Sequence, residues 1–191
     1  MKPRSLSTRI ILLSGNWIIA ALVASALLLT YFYRDHVEEH YDAHVDMHLE
    51  ELIGASAIDA NGTFSLAFLP SDPRYDESHS GWYWEVRQAG KTLAKSPSLG
   101  DKGLDIGTIQ PSDQTAVYEI PGPIHHELRV HVLKIRQVSN YEPLVYLASA
   151  PRADYKDDVS NYSSHIVSSF VLLGFGLLVS VVMQVGIALK P

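Results

Sequence analysis

The sequence predicts an α+β protein, with a central antiparallel sheet flanked by two membrane-spanning helices. Three observations carry that reading. Two long windows, residues 10–33 and 166–189, hold no Asp, Glu, Lys or Arg. The stretch between them contains several short runs of strand-like alternation. The chain on either side of those runs has the spacing of helices.

Each uncharged window is about 24 residues, enough to cross roughly 30 Å of hydrocarbon at about 1.5 Å per residue. Residues 1–9 precede the first window and carry Lys2, Arg4 and Arg9. Trp17, Tyr31, Phe32 and Tyr33 edge its apolar run in the manner of an interface belt. A cleaved leader is the competing reading, since Ala24-Ser25-Ala26 mimics a cleavage site. Leu27-Leu28-Leu29 carry the apolar run past that site, which favours a retained helix.

Charge sets the expected orientation. All 21 acidic residues lie between positions 34 and 160, with 11 of the 15 basic ones. Lys190 joins the three basic residues of the N-terminus outside that segment. Positive ends belong in the cytoplasm, so residues 34–165 are expected outside, in the periplasm of a two-pass protein of the bacterial inner membrane. So acidic a domain makes nucleic acid an improbable partner. With no cysteine, the exported domain must be held by its core.

From Arg34 the helical pattern continues. Val37, Tyr41, Val45, Leu49, Leu52 and Ile53 form an apolar stripe, and the helix is expected to reach Ile58 before Asp59-Ala60-Asn61-Gly62 breaks it. About five strands follow. Candidates are Thr63–Phe68, Gly81–Gln88, Lys91–Lys95, Thr115–Ile120, Glu127–Gln137 and Leu144–Ala148, with a hairpin at Ala89-Gly90. The alternation in Glu127–Gln137 slips once, at Leu133. Pro151 is placed to open a second helix, with Asp154, Asp157 and Asp158 near its start.

Three local patterns bring a family into view. Asp72-Pro73-Arg74-Tyr75 is followed by Ser80-Gly81-Trp82-Tyr83-Trp84. A strand ends in Pro143-Leu144-Val145-Tyr146-Leu147-Ala148, and the chain closes with Gly186-Ile187-Ala188-Leu189-Lys190-Pro191. Together they resemble the sensor region of two-component sensor histidine kinases of the PhoQ-like and FeuQ-like branch. The resemblance implies a PAS-like (PDC) outer domain, a parallel homodimer, and a HAMP-like linker starting at 190–191. It also implies a cytoplasmic kinase portion that uses ATP and Mg²⁺ and passes phosphate to a response regulator. A small periplasmic regulatory protein is a partner in keeping with that branch. Ser80–Trp84 itself reads more simply as a turn followed by buried aromatics.

No catalytic residue or bound cofactor is expected within the chain. His126-Glu127-Leu128-Arg129 superficially matches a phosphoacceptor box, but it lies in a strand-like segment without the threonine-proline continuation. His131 is five positions after His126, so the helical zinc-protease spacing is also unmet. Neither a phosphate loop nor a nucleophile elbow is present.

The sequence points to three candidate sites. His36, His40, His44 and His48 recur every four residues in an acidic helix. Protonation below about pH 6.5 would change that helix's charge. Alternatively, i,i+4 imidazoles can hold Zn²⁺ or a similar ion. The plain reading is a solvated helix face. Asp72, Asp76, Glu77 and His79 form a second group, suited to a divalent cation or to a solvated loop. Asn16 and Gln184 are amides inside the two spans, expected at similar depth and suited to a signalling hydrogen bond between helices. Gly174, Gly176, Ala20, Ala24 and Ser25 are small enough for close helix approach.

Overall fold

The computed structural model describes residues 6–59, 62–124, 127–136 and 142–188. The expected linker start at 190–191 and His126 of the rejected phosphoacceptor box lie outside the described residues. The chain divides into two compact units. Met1–Val37 with Asp157–Pro191 forms one, and Glu38–Lys156 forms the other.

Helix α1 is unbroken from Leu6 to Ala55, and helix α2 runs from Arg152 to Ala188. Neither contains a proline, which would remove a ladder donor and clash with the preceding turn. Both are long and apolar enough to cross a membrane. Within the first unit their apolar side chains point outward: Leu13, Trp17 and Leu172 are each more than 70% exposed. A Cβ on Gly15 would stand 3.3 Å from Leu178, and one on Gly174 would stand 3.0 Å from Leu22. These two glycines therefore set the closest approach of the pair. Of the small residues expected there, only Gly174 makes the contact. Gly176 has open space beside it, and Ala20, Ala24 and Ser25 are exposed. Tyr33 stacks on Tyr162, ring centroids 3.5 Å apart.

The second unit is built on a five-stranded antiparallel sheet. Its strands are β3 (Tyr83–Gln88), β4 (Lys91–Lys95), β5 (Ala116–Pro121), β6 (Glu127–Ile135) and β7 (Leu144–Pro151). The spatial order is β4-β3-β7-β6-β5. Ala89 and Gly90 both have positive φ, 49° and 77°, the backbone of the tight two-residue hairpin expected there. β1 (Ser56–Ile58) and β2 (Phe64–Leu66) form a separate antiparallel pair. The helix thus ends at Ala55 rather than Ile58. Ser56 turns its hydroxyl back to the Leu52 carbonyl (2.8 Å), satisfying one of the helix's last acceptors.

Both faces of this sheet are covered. On one, Trp84, Val86, Leu144, Tyr146 and Ala148 pack with Val45, Leu49 and Leu52 of α1, the predicted stripe. Full burial of each aliphatic side chain stabilises by about 1.5–3 kcal/mol. On the other face, Tyr83, Leu128, Val130, Val132 and Leu147 pack with Leu99 and Leu104. The slip at Leu133 disappears in three dimensions. β6 pairs with β7 without a break from Leu128 to Ile135. Arg129, His131, Leu133 and Ile135 share one face, and that face changes from polar to apolar along the strand. Two-sided burial hides this from any one-sided alternation test.

Gly81 leads into β3 at φ +85°, with any Cβ only 2.8 Å from the Pro151 side chain. A glycine is required on both counts. It delivers Trp82, Tyr83 and Trp84 to the interior, each 3% exposed or less, as the simpler reading of that stretch expects.

Candidate functional site

Residues four apart on a helix do not stay on one face. Each step of four advances about 40° around the axis, so three steps turn the histidine ribbon through about 120°. The structure shows this drift as a gradient of burial. His36 and His40 are exposed, His44 is half-buried, and His48 is buried at 6% exposure. Only the last two come together, with ring centroids 4.8 Å apart.

The loop ahead of β3 meets them. Asp72 caps a single 3-10 turn, Pro73–Tyr75, and its side chain accepts from the Arg74 N–H at 3.0 Å. Pro73 at the start of that turn loses no hydrogen bond. The loop is tied to α1 through Glu51, whose Oε1 accepts from the Ser71 N–H and hydroxyl. The other Glu51 oxygen stands 3.5 Å from His48 Nδ1. Asp72 Oδ2 lies 3.3 Å from His48 Nε2. The separation is short, yet no hydrogen bond forms, and Nε2 is a buried nitrogen without a partner. His44, His48 and Asp72 each offer one ligand atom, all within 4.8 Å of one another.

Arg74 occupies the middle of this group. Its guanidinium lies on both Asp72 oxygens and stacks 3.6 Å from the Trp82 ring centroid. Nη2 also stands 3.0 Å from His44 Nε2. Arginine only donates, so that imidazole nitrogen accepts and its lone pair points into the cluster. The Arg74 hydrogen bonds hold the Asp72 carboxyl at about 2, well below its usual range. Burial, with His48 and Arg74 nearby, pushes the His44 imidazole down and keeps it neutral.

A second polar cluster lies between α1 and β6. His131 is fully buried, with Nδ1 2.7 Å from Asp46 and Nε2 3.3 Å from Asp42. Arg129, two residues earlier on the same face, binds both Asp42 oxygens at 2.5 and 2.7 Å. It also reaches Glu38 at 2.9 Å. Neither cluster was assembled by sequence reasoning. Asp42/Asp46 at helical spacing and Arg129/His131 at strand spacing were both visible, but nothing in one chain says which pair meets which.

The remaining candidates stay apart. Asp76, Glu77 and His79 are exposed, and among the described residues they join no metal-like group. Asn16 and Gln184 are also exposed, with no hydrogen bond between them. The contact of Gly15 with Leu178 puts Asn16 near the level of Leu178. Gln184 lies six residues further on, about 9 Å at helical rise, so the amides are not at one depth. Protein families, curated proteins and solved structures, when compared with this chain, yield no match.

Proposed function

We propose that this chain is the sensing and transmembrane portion of a bacterial signalling receptor of the two-component sensor histidine kinase type, with a PDC-like domain in the periplasm. One observation carries the reading. The same unbroken helix that holds an apolar segment long enough for a membrane also holds the interior-facing residues Asp42, His44, Asp46 and His48. A stimulus that alters how that helix seats on the sheet acts on a rod continuous with the span. α2 begins directly after the strand at the centre of the sheet, which provides a second such connection. A stimulus acts only through a difference in affinity between two seatings of these helices. ATP, Mg²⁺ and the response regulator belong to a cytoplasmic portion following Pro191, and the receptor works as a parallel homodimer. The resemblance of Asp72–Tyr75 and Ser80–Trp84 to that sensor branch supports the kinase assignment over a chemoreceptor or cyclase sensor.

The test is a chimera joining Pro191 to the HAMP, dimerisation and ATPase portion of a characterised histidine kinase, with a transcriptional reporter. Arg129→Ala, which loosens α1 from β6, is expected to shift reporter output by at least about two-fold in folded, membrane-inserted protein. Output unchanged by Arg129→Ala and by Asp42→Asn would instead favour a stand-alone membrane-anchored binding protein.

A further inference from the structure

Two imidazole nitrogens and one carboxylate oxygen converge beside Trp82, and the only cation among them is a side chain of the chain itself. His48 makes this arrangement chemically unfinished. If its Nδ1 donates to Glu51, as that carboxylate's position indicates, Nε2 presents a lone pair. That lone pair faces an Asp72 carboxylate oxygen at 3.3 Å. Two acceptors at that distance repel unless a cation lies between them. The Glu51–His48 contact is also what a metal-binding histidine uses to fix its tautomer and raise its basicity. Glu51 is itself held by Ser71.

We propose that His44 Nε2, His48 Nε2 and Asp72 form a reversible site for a late first-row divalent ion of the Zn²⁺ class, and that the Arg74 guanidinium is its built-in competitor. In a tetrahedral zinc site the ligand atoms stand roughly 3.3–3.4 Å apart. The His48–Asp72 separation already matches. His44, half-exposed, needs only a side-chain rotation to close the rest and leaves a way in for the ion. Two nitrogens and one oxygen select zinc over Mg²⁺ or Ca²⁺, which prefer all-oxygen shells. A divalent ion cannot share Asp72 and His44 with a guanidinium, so binding exchanges Arg74 for metal. Arg74 then gives up its hydrogen bonds to both, while its stacking face on Trp82 remains available. The exchange takes place where the loop before β3 meets α1. Its meaning as a stimulus rests on the receptor reading above; the binding itself does not.

The experiment uses the whole chain in detergent micelles, purified without a histidine tag, stripped with EDTA and titrated with Zn²⁺ against a chromophoric chelator at pH 7.5. One ion per chain is expected, with a change in Trp fluorescence as the guanidinium moves. His44→Gln and Asp72→Asn should each weaken binding by about 100-fold. The double variant His36→Gln, His40→Gln should bind as the parent does. Arg74→Gln keeps all three ligands and should bind about ten-fold tighter, because a neighbouring positive charge is gone. Excess Mg²⁺ or Ca²⁺ should not compete. Absence of zinc binding by both the parent and Arg74→Gln overturns the proposal. So does binding that His36→Gln, His40→Gln abolishes while Asp72→Asn leaves it intact. Zinc binding with no reporter response in the chimera would keep the site and remove its signalling role.

Discussion

His48 and His131 are both buried imidazoles, and both face helix α1's acidic surroundings, yet they are satisfied in opposite ways. His131 has a carboxylate at each nitrogen, Asp46 on one side and Asp42 on the other. Asp42 is in turn gripped by Arg129. His48 has a distant carboxylate at Nδ1 and an unpartnered Nε2. The first arrangement closes its hydrogen bonds within the protein and so behaves as structure. The second leaves a buried acceptor waiting, which protein interiors tolerate where a ligand is to come. Burial alone would have ranked the two alike.

Substitution should separate them. The largest effect is expected from His131→Leu. It leaves two carboxylates without their shared partner and should cost about 3 kcal/mol, read as a lower urea midpoint with unchanged slope. A cost under about 1 kcal/mol would show that Asp42 and Asp46 find solvent easily, and the contrast would collapse.

Gly81→Ala comes next, at about 2 kcal/mol, because it combines a left-handed backbone with contact against Pro151. Its strain falls beside Trp82, so it should also disturb the loop carrying Asp72. Intact zinc affinity in this variant would mean that the loop is held by Glu51 and not by its junction with β3.

Glu85 serves as a reference acid on the opposite face of the sheet. It is fully buried, accepting from Arg87, Thr92 and the Leu104 N–H. Burial raises its pKa, but those donors outweigh it and the net direction is downward. A depressed carboxyl stabilises the fold above its unfolded value and loses that contribution as pH falls through the folded one. Thermal stability should therefore decline below about pH 4.5, the ordinary Glu range. Glu85→Gln should flatten part of that decline, and an unaltered profile would assign it to other acids.

The smallest effect is expected at His48. Replacing it with Leu removes an unpartnered nitrogen in favour of apolar contact with Tyr75 and Trp82, and stability should move by less than about 1 kcal/mol. Zinc binding should vanish in the same protein. A loss as large as that of His131→Leu would show that His48 is structural after all.

Much of this molecule is legible one residue at a time. The two uncharged windows, the α1 stripe of Val45, Leu49 and Leu52, and the Ala89-Gly90 hairpin follow from local periodicity and turn chemistry. So does the placement of Trp82–Trp84 in the interior. The short β1–β2 pair is not legible, because three-residue strands carry too little pattern to stand out from a helix end. The two-faced character of β6 is also hidden, since a strand buried on both sides has no polar face to alternate with.

The candidate site divides in the same way. Sequence alone determined that four histidines follow a helical repeat and that Asp72 opens an acidic loop. It also determined, through the 40° drift of every fourth residue, that those histidines fan out around the helix. Tertiary structure alone decided that the fan turns its C-terminal pair inward, against Trp82. It alone brought Asp72 and Arg74 to that pair and sent Asp42 and Asp46 to Arg129 and His131. The physical reason is range. Helical and strand periodicities act over a few residues, whereas these pairings join positions 24 to 89 apart in the chain. Only the packing of the apolar stripe against the sheet selects among the many ways such distant groups could meet.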